Sequence, residues 1–163
     1  MIEPIIEYLP LLAAESKRGA AWEIFSEEAD DGGRVHYFQE VKDELKQSSG
    51  IYVFYDSMAR AIYVGKAEKQ NLWSEVRNAF NRDRGQHQTI FHVEHPLGRN
   101  VQDANKYRRI SSKPLKLYDL AYYFSAYRVT PEFIPHMEAF LIRAFANNLM
   151  NGRIENFPNM KAE

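Results

Sequence analysis

The apolar and polar positions change period several times along the chain. Between residues 5 and 27, Ile5, Ile6, Leu9, Leu11 and Leu12 cluster around Pro10, which predicts one or two short helices ending near the turn-forming run Ala29 to Gly33. The stretch "HYFQEVKDELKQ" predicts an amphipathic helix closed by Ser48, Ser49 and Gly50. Residues 50 to 56 and 60 to 64 alternate as two strands, and residues 72 to 81 return to helical spacing. No strong period runs through residues 82 to 116, which read as a long irregular insertion. A tyrosine-rich strand is expected within residues 117 to 129, and Thr130-Pro131-Glu132 then opens the last long helix, with Pro131 suited to its first turn.

This order predicts an α/β fold of the α+β type: a small central antiparallel three-stranded sheet flanked by helices. The 163 residues make one domain, with a helical N-terminal extension over 1–49 and a core over 50–151 interrupted at 82–116.

In "GIYVFYDSMARAIYVG", Ile51, Val53 and Tyr55 share one face of the first strand, and Tyr52 and Phe54 share the other. A two-residue loop at Ser57 and Met58 sets Phe54 opposite Ala61 and Tyr52 opposite Tyr63, so the two hydroxyls lie side by side. Gly50 opens one strand and Gly65 closes the other, where a missing side chain admits a close backbone or ligand approach, and Lys66 follows as a cation.

Composition narrows the chemistry. With no cysteine, disulfides, thiolate metal sites and thiol nucleophiles are excluded. The N-terminal run, interrupted by Glu3, Pro4, Glu7 and Pro10, matches neither a secretory signal nor a membrane span, so a cytoplasmic protein without membrane contact is expected. The net charge of −1 conceals an asymmetry: residues 1–49 carry five Lys and Arg against eleven Asp and Glu, and residues 82–116 carry eight against three. With a Debye length of ~8 Å, the local excess governs contact with a polyanion.

"GIY", ten intervening residues and "YVGKA" resemble the signature of the GIY-YIG nuclease superfamily, and are most similar to the N-terminal incision domain of bacterial nucleotide-excision-repair nucleases. The similarity covers roughly residues 49–81 and 117–152. It implies hydrolysis of DNA phosphodiester bonds by a metal-dependent endonuclease, with one Mg²⁺ or Mn²⁺ held by a glutamate and with tyrosines and an arginine around the phosphate. In "MEAFLIRAFANNLMN" the matching residues are Glu138, as metal ligand, and Asn151. Helical projection independently puts Glu138 on the apolar face with Leu141 and Ile142, where a carboxylate needs a metal, a cation or dense hydrogen bonding. Tyr63, or Tyr52 through a shared network, would orient or deprotonate the attacking water, and Lys66 would balance phosphate charge.

The pattern departs at the first core helix. "NLWSEVRNAF" aligns Leu72, Val76 and Phe80 with the family's apolar positions but puts Glu75 where its arginine stands. Arg77, Arg82 or Lys66 substitutes for it, or the arginine function is absent. Arg99, Lys106, Arg108, Arg109, Lys113 and Lys116 in the basic segment are candidate contacts to a nucleic-acid backbone. His87, His92 and His95 lack the geometry of a metal site and read as surface residues. Two further readings are a catalytically impaired nucleic-acid-binding module of the same fold, and an interaction domain whose acidic first third binds a protein partner or a second copy.

Overall fold

The computed structural model describes residues 1–11, 14, 15, 22–25, 32–83, 89–94, 109–114 and 116–145. They fall in two units, Met1–Asn81 with Leu117–Glu163, and Arg82–Lys116.

The first unit is built on an antiparallel sheet. Its strands are β1 (Ile2–Pro10), β4 (Gly50–Tyr55), β5 (Ala61–Ala67) and β8 (Tyr123–Val129), in the order β1-β8-β4-β5. A short ladder joins β2 (Ala14–Glu15) to β3 (Trp22–Glu23). The helices are α1 (Gly32–Gln47), α2 (Leu72–Asn81) and α3 (Ile134–Ala144). The second unit contains an antiparallel hairpin of β6 (Thr89–Glu94) and β7 (Arg109–Pro114). No helix among the described residues is long and apolar enough to cross a membrane.

The sheet has four strands rather than three because Ile2–Pro10, expected at the start of a helical extension, pairs with β8 from Ile2↔Val129 to Pro10↔Tyr123. Pro4 and Pro10 explain the outcome. Proline inside a helix costs about 3 kcal/mol, whereas an edge strand tolerates its missing N–H. The basic segment likewise departs from the irregular expectation by forming β6–β7; the polar run Ser111-Ser112-Lys113 disguises β7 because its strand propensity is low.

β4 is buried along its whole length, since both sheet faces are covered there. On one face Tyr52 and Phe54 meet α2, where the Phe54 and Phe80 rings stack at 5.8 Å. On the other, Val53 and Tyr55 pack with Ala61, Val64 and Ile142, and Ile51 packs with Val129 and Ile134. Asn71 caps α2: its Oδ1 accepts from Ser74 N–H at 2.9 Å. α1 joins the α2 layer through Phe38, stacked on Phe25 at 4.9 Å, and Phe25 in turn lies 5.4 Å from Trp73.

The hairpin register differs from expectation by two residues: Tyr52 faces Gly65 and Phe54 faces Tyr63, with an irregularity before Tyr55↔Ala61. The loop is longer than two residues. Ala59 N–H donates to Asp56 O and Asp56 N–H to Arg60 O, each at 3.0 Å, and Ala59 takes φ 57°, a conformation costing an L-residue on the order of 1 kcal/mol. The Asp56 carboxylate accepts from Met58 N–H at 2.9 Å and Arg60 N–H at 3.0 Å. The Arg60 backbone and then its guanidinium hold this carboxyl below the usual range. A two-residue shift preserves parity, so Tyr52 and Tyr63 still share a face.

The register explains both glycines. A Cβ on Gly65 would overlap the Tyr52 ring at Cζ, Oη and Cε2. One on Gly50 would overlap the Tyr127 carbonyl oxygen. Gly65→Ala is therefore expected to lose roughly 1–3 kcal/mol of unfolding free energy in urea titration, through displacement of a buried ring.

Candidate active site

The sequence-derived residues separate into two groups flanking the edge strand β5. On the α2 face, the Tyr52 and Tyr63 rings have centroids 6.2 Å apart. Tyr52 is buried over Gly65, and its hydroxyl points to the Glu75 carbonyl at a long 3.4 Å. Tyr63 is half-buried and is the more accessible of the two.

On the α3 face, Glu138 and Lys66 meet. Strand alternation directs Lys66, opposite Ile51, away from the face bearing Tyr52 and Gly65. Its Nζ lies 3.0 Å from Glu138 Oε2, and 3.9 Å from Glu68 Oε2. The Glu138 side chain is 7% exposed and that of Lys66 28%, so the carboxylate is the desolvated partner and the ammonium reaches it from the rim. α3 projects Glu138 inward beside Ile134, Ala139 and Ile142, which gives the buried acid its cation.

Arg77 is not brought to Glu138, because α2 and α3 pack on opposite sheet faces. Its Nη2 donates to Glu23 Oε1 at 2.8 Å, and its guanidinium carbon lies 6.0 Å from the Trp73 ring centroid. Glu75 occupies the first turn of α2. Arg82 is exposed just beyond the end of that helix. Arg109 pairs in register with Glu94, and Lys113 with Ile90. Lys116 precedes the 3₁₀ turn Leu117–Asp119. Asn151, Arg99, Lys106 and Arg108 lie outside the described residues.

The donor set bears on the expected metal. Among the described residues there is no group of three His, Cys, Asp or Glu side chains that could hold an ion. Glu138 is compatible with Mg²⁺ or Mn²⁺ as one carboxylate in a shell completed by water and phosphate oxygens, a mode Mg²⁺ commonly adopts. In that mode the residue fits.

Sequence reasoning missed a hydroxyl cluster on the α3 face, toward β1. Tyr8 N–H donates to the buried Ser125 Oγ at 3.0 Å, and the Tyr8 ring lies 4.6 Å from that of Tyr55. Tyr127 Oη donates to Glu7 Oε1 at 2.9 Å. Burial raises the Tyr55 hydroxyl above its ordinary value, and burial followed by the Glu7 hydrogen bond raises Tyr127 far above it. The visible signal was the alternation of Tyr123, Ser125 and Tyr127; the contribution of Tyr8 depends on its unusual φ of 48°. A cavity of about 280 Å³ at the Gly50 end of the sheet is lined by Ser48, Arg128 and Thr130 among others. There the Arg128 guanidinium is already met by Glu3, Glu44 and Ser48.

Two outcomes follow from these contacts. Lys66→Met should cost roughly 3 kcal/mol in chemical denaturation by removing the cation 3.0 Å from the buried Glu138 carboxylate, and Lys66→Met/Glu138→Leu should recover most of that loss. The raised tyrosine pKa values favour neutral hydroxyls in the folded state. Their stabilisation is complete below the ordinary value near ~10 and is lost as pH rises toward the folded value. In thermal melts above that pH, Tyr127→Phe should therefore lose less stability with rising pH than wild type.

No family model matches the chain, and neither does any curated protein or solved structure.

Proposed function

We propose that this chain is a metal-dependent endonuclease of the GIY-YIG kind, acting on DNA at the edge of β5. The observation that carries the reading is the buried Glu138 carboxylate, held 3.0 Å from Lys66 on the strand that completes the "YVGKA" sequence. A carboxylate this desolvated is retained at a cost, and a lysine at the rim supplies its counter-charge.

Glu138 is the residue that would hold Mg²⁺ or Mn²⁺, and a bound ion supplies Lewis-acid polarisation of the phosphate. Lys66 serves as counter-ion to Glu138 in the ion-free chain and balances phosphate charge when substrate is present. Tyr63, half-buried, orients the attacking water around the edge of β5. Tyr52, whose ring fills the space above Gly65, is a positioning residue for Tyr63. Neither tyrosine shares a sheet face with Glu138, so this chemistry requires the phosphate to sit at the strand edge, where the two faces meet.

The engagement of Arg77 by Glu23 favours a second reading, in which the chain binds nucleic acid without cutting it. Conversion of supercoiled plasmid and of branched DNA, with Mg²⁺, Mn²⁺ or EDTA, separates the two. Wild type should cut only with metal, and Glu138→Gln should lose at least about 10²-fold in rate, on the scale of removing one charge-stabilising group from an active site. Folded wild-type protein that binds these DNAs and never cuts them would establish the second reading, and absence of any salt-sensitive binding would overturn both.

A further inference from the structure

An indole and two cations meet between α1 and α2, with a third cation one turn further along α1, away from Glu138. Lys42 Nζ lies 5.2 Å from the centroid of the buried Trp73 ring, and the Arg77 guanidinium shares that ring. Lys46 stands one turn from Lys42 on α1 and is 3.0 Å from Asp43, whose other carboxylate oxygen accepts from Gln39 at 2.9 Å. The acid that reaches Arg77 is Glu23, and it contacts the fork through one nitrogen at 2.8 Å. Arg77 Nε is buried and finds no acceptor among the described residues. A guanidinium presents a fork suited to two oxygens, and Glu23 engages it through Nη2 without reaching Nε.

Charge and attachment agree with a replaceable contact. Burial and then Lys46 hold the Lys42 ammonium below its ordinary pKa, with Arg77 adding to the repulsion, although Glu23 and Asp43 oppose the shift. Lys42, Lys46 and Arg77 are thus close enough to repel one another. Glu23 sits on a ladder of two residue pairs, Ala14↔Glu23 and Glu15↔Trp22, and although the adjacent Ile24 and Phe25 anchor the backbone, its side chain is partly exposed and turns from Arg77 by rotamer change alone. The indole would keep both cations in place when the acid leaves, through cation–π attraction.

We propose that Arg77 and Lys42, flanked by Lys46, bind a backbone phosphate of a nucleic acid, and that Glu23 occupies this site in the ligand-free chain as an internal competitor. The choice of a nucleic acid rests on the function proposed above, but the site does not involve Glu138. Arg77 and Lys42 meet at Trp73 between α1 and α2 rather than at the β5 edge, so this phosphate is assigned apart from the one that reacts. It anchors another part of the same polyanion, and the acidic N-terminal third regulates access to it through Glu23.

Fluorescence anisotropy of a short labelled DNA duplex, measured with the full chain in EDTA over a salt series, tests this without cleavage. Glu23→Gln should tighten binding roughly three- to tenfold, the scale of removing one partly exposed competing charge. Arg77→Ala and Lys42→Gln should each lower the slope of log affinity against log salt by about 1. Thermal melts of each variant confirm that folded protein is compared, and Lys42→Gln preserves the test if Arg77→Ala fails to fold. Unchanged or weaker binding by Glu23→Gln, or an unchanged salt slope in folded Lys42→Gln, would overturn the proposal. So would tightening by Glu23→Gln toward pyrophosphate alone, which would assign the site to free phosphate compounds. Glu138→Gln should retain the whole Glu23 effect; its loss would make the two sites one and also overturn the proposal. Cleavage failing while the Glu23 effect persists would remove the nuclease reading and leave this site standing.

Discussion

Burial of β4 on both faces is the constraint from which the rest of the first unit follows. A strand with no solvent-facing side must match two different layers at once, and period-two alternation allots Tyr52 and Phe54 to one and Ile51, Val53 and Tyr55 to the other. Each layer then recruits its helix: aromatic stacking draws α2 to Phe54, and aliphatic contacts draw α3 to Val53 and Ile51. The same division places Arg77 and Glu138 on opposite sides of the sheet. Any shared use of these two residues therefore requires a ligand long enough to touch both.

The hairpin, both core helices and the tyrosine-rich strand were legible because local periodicity and tertiary burial agree over residues 50–81 and 123–144. Glu138 was legible for a related reason, since a lone acid on an apolar helix face needs a partner. Lys66 was visible as a cation beside Gly65, but its contact with Glu138 was not, because pairing between β5 and α3 has no local sequence signature. β1 was obscured by apolar spacing that imitates a helix, although Pro4 and Pro10 already argued against one. The hairpin register was misjudged because Ala59 occupies a left-handed position normally given to glycine, leaving no mark of the longer loop. Glu23 carried no signal at all: its role comes from a two-residue ladder that only the folded chain creates.

Several acids in the first third of the chain meet specific polar partners elsewhere in the first unit. Glu7 meets the Tyr127 hydroxyl, Glu3 and Glu44 meet Arg128, and Glu23 meets Arg77. Four of the eleven acids in residues 1–49 are thus engaged in individual contacts. Most are partly exposed, so each contributes little to stability on its own, and their influence is chiefly on which cations remain available to other anions.

The irregular pairing of β1 also bears on self-association. Its ladder with β8 shifts register between Pro4 and Ile6 and again between Ile6 and Leu9, with Tyr8 left-handed at the second break. An outer strand that twists at two places and lacks N–H groups at Pro4 and Pro10 is a poor template for a neighbouring chain. The β1 side of the sheet is thereby guarded against edge-to-edge aggregation, and among the described residues β5, marked by Lys66, forms the opposite border.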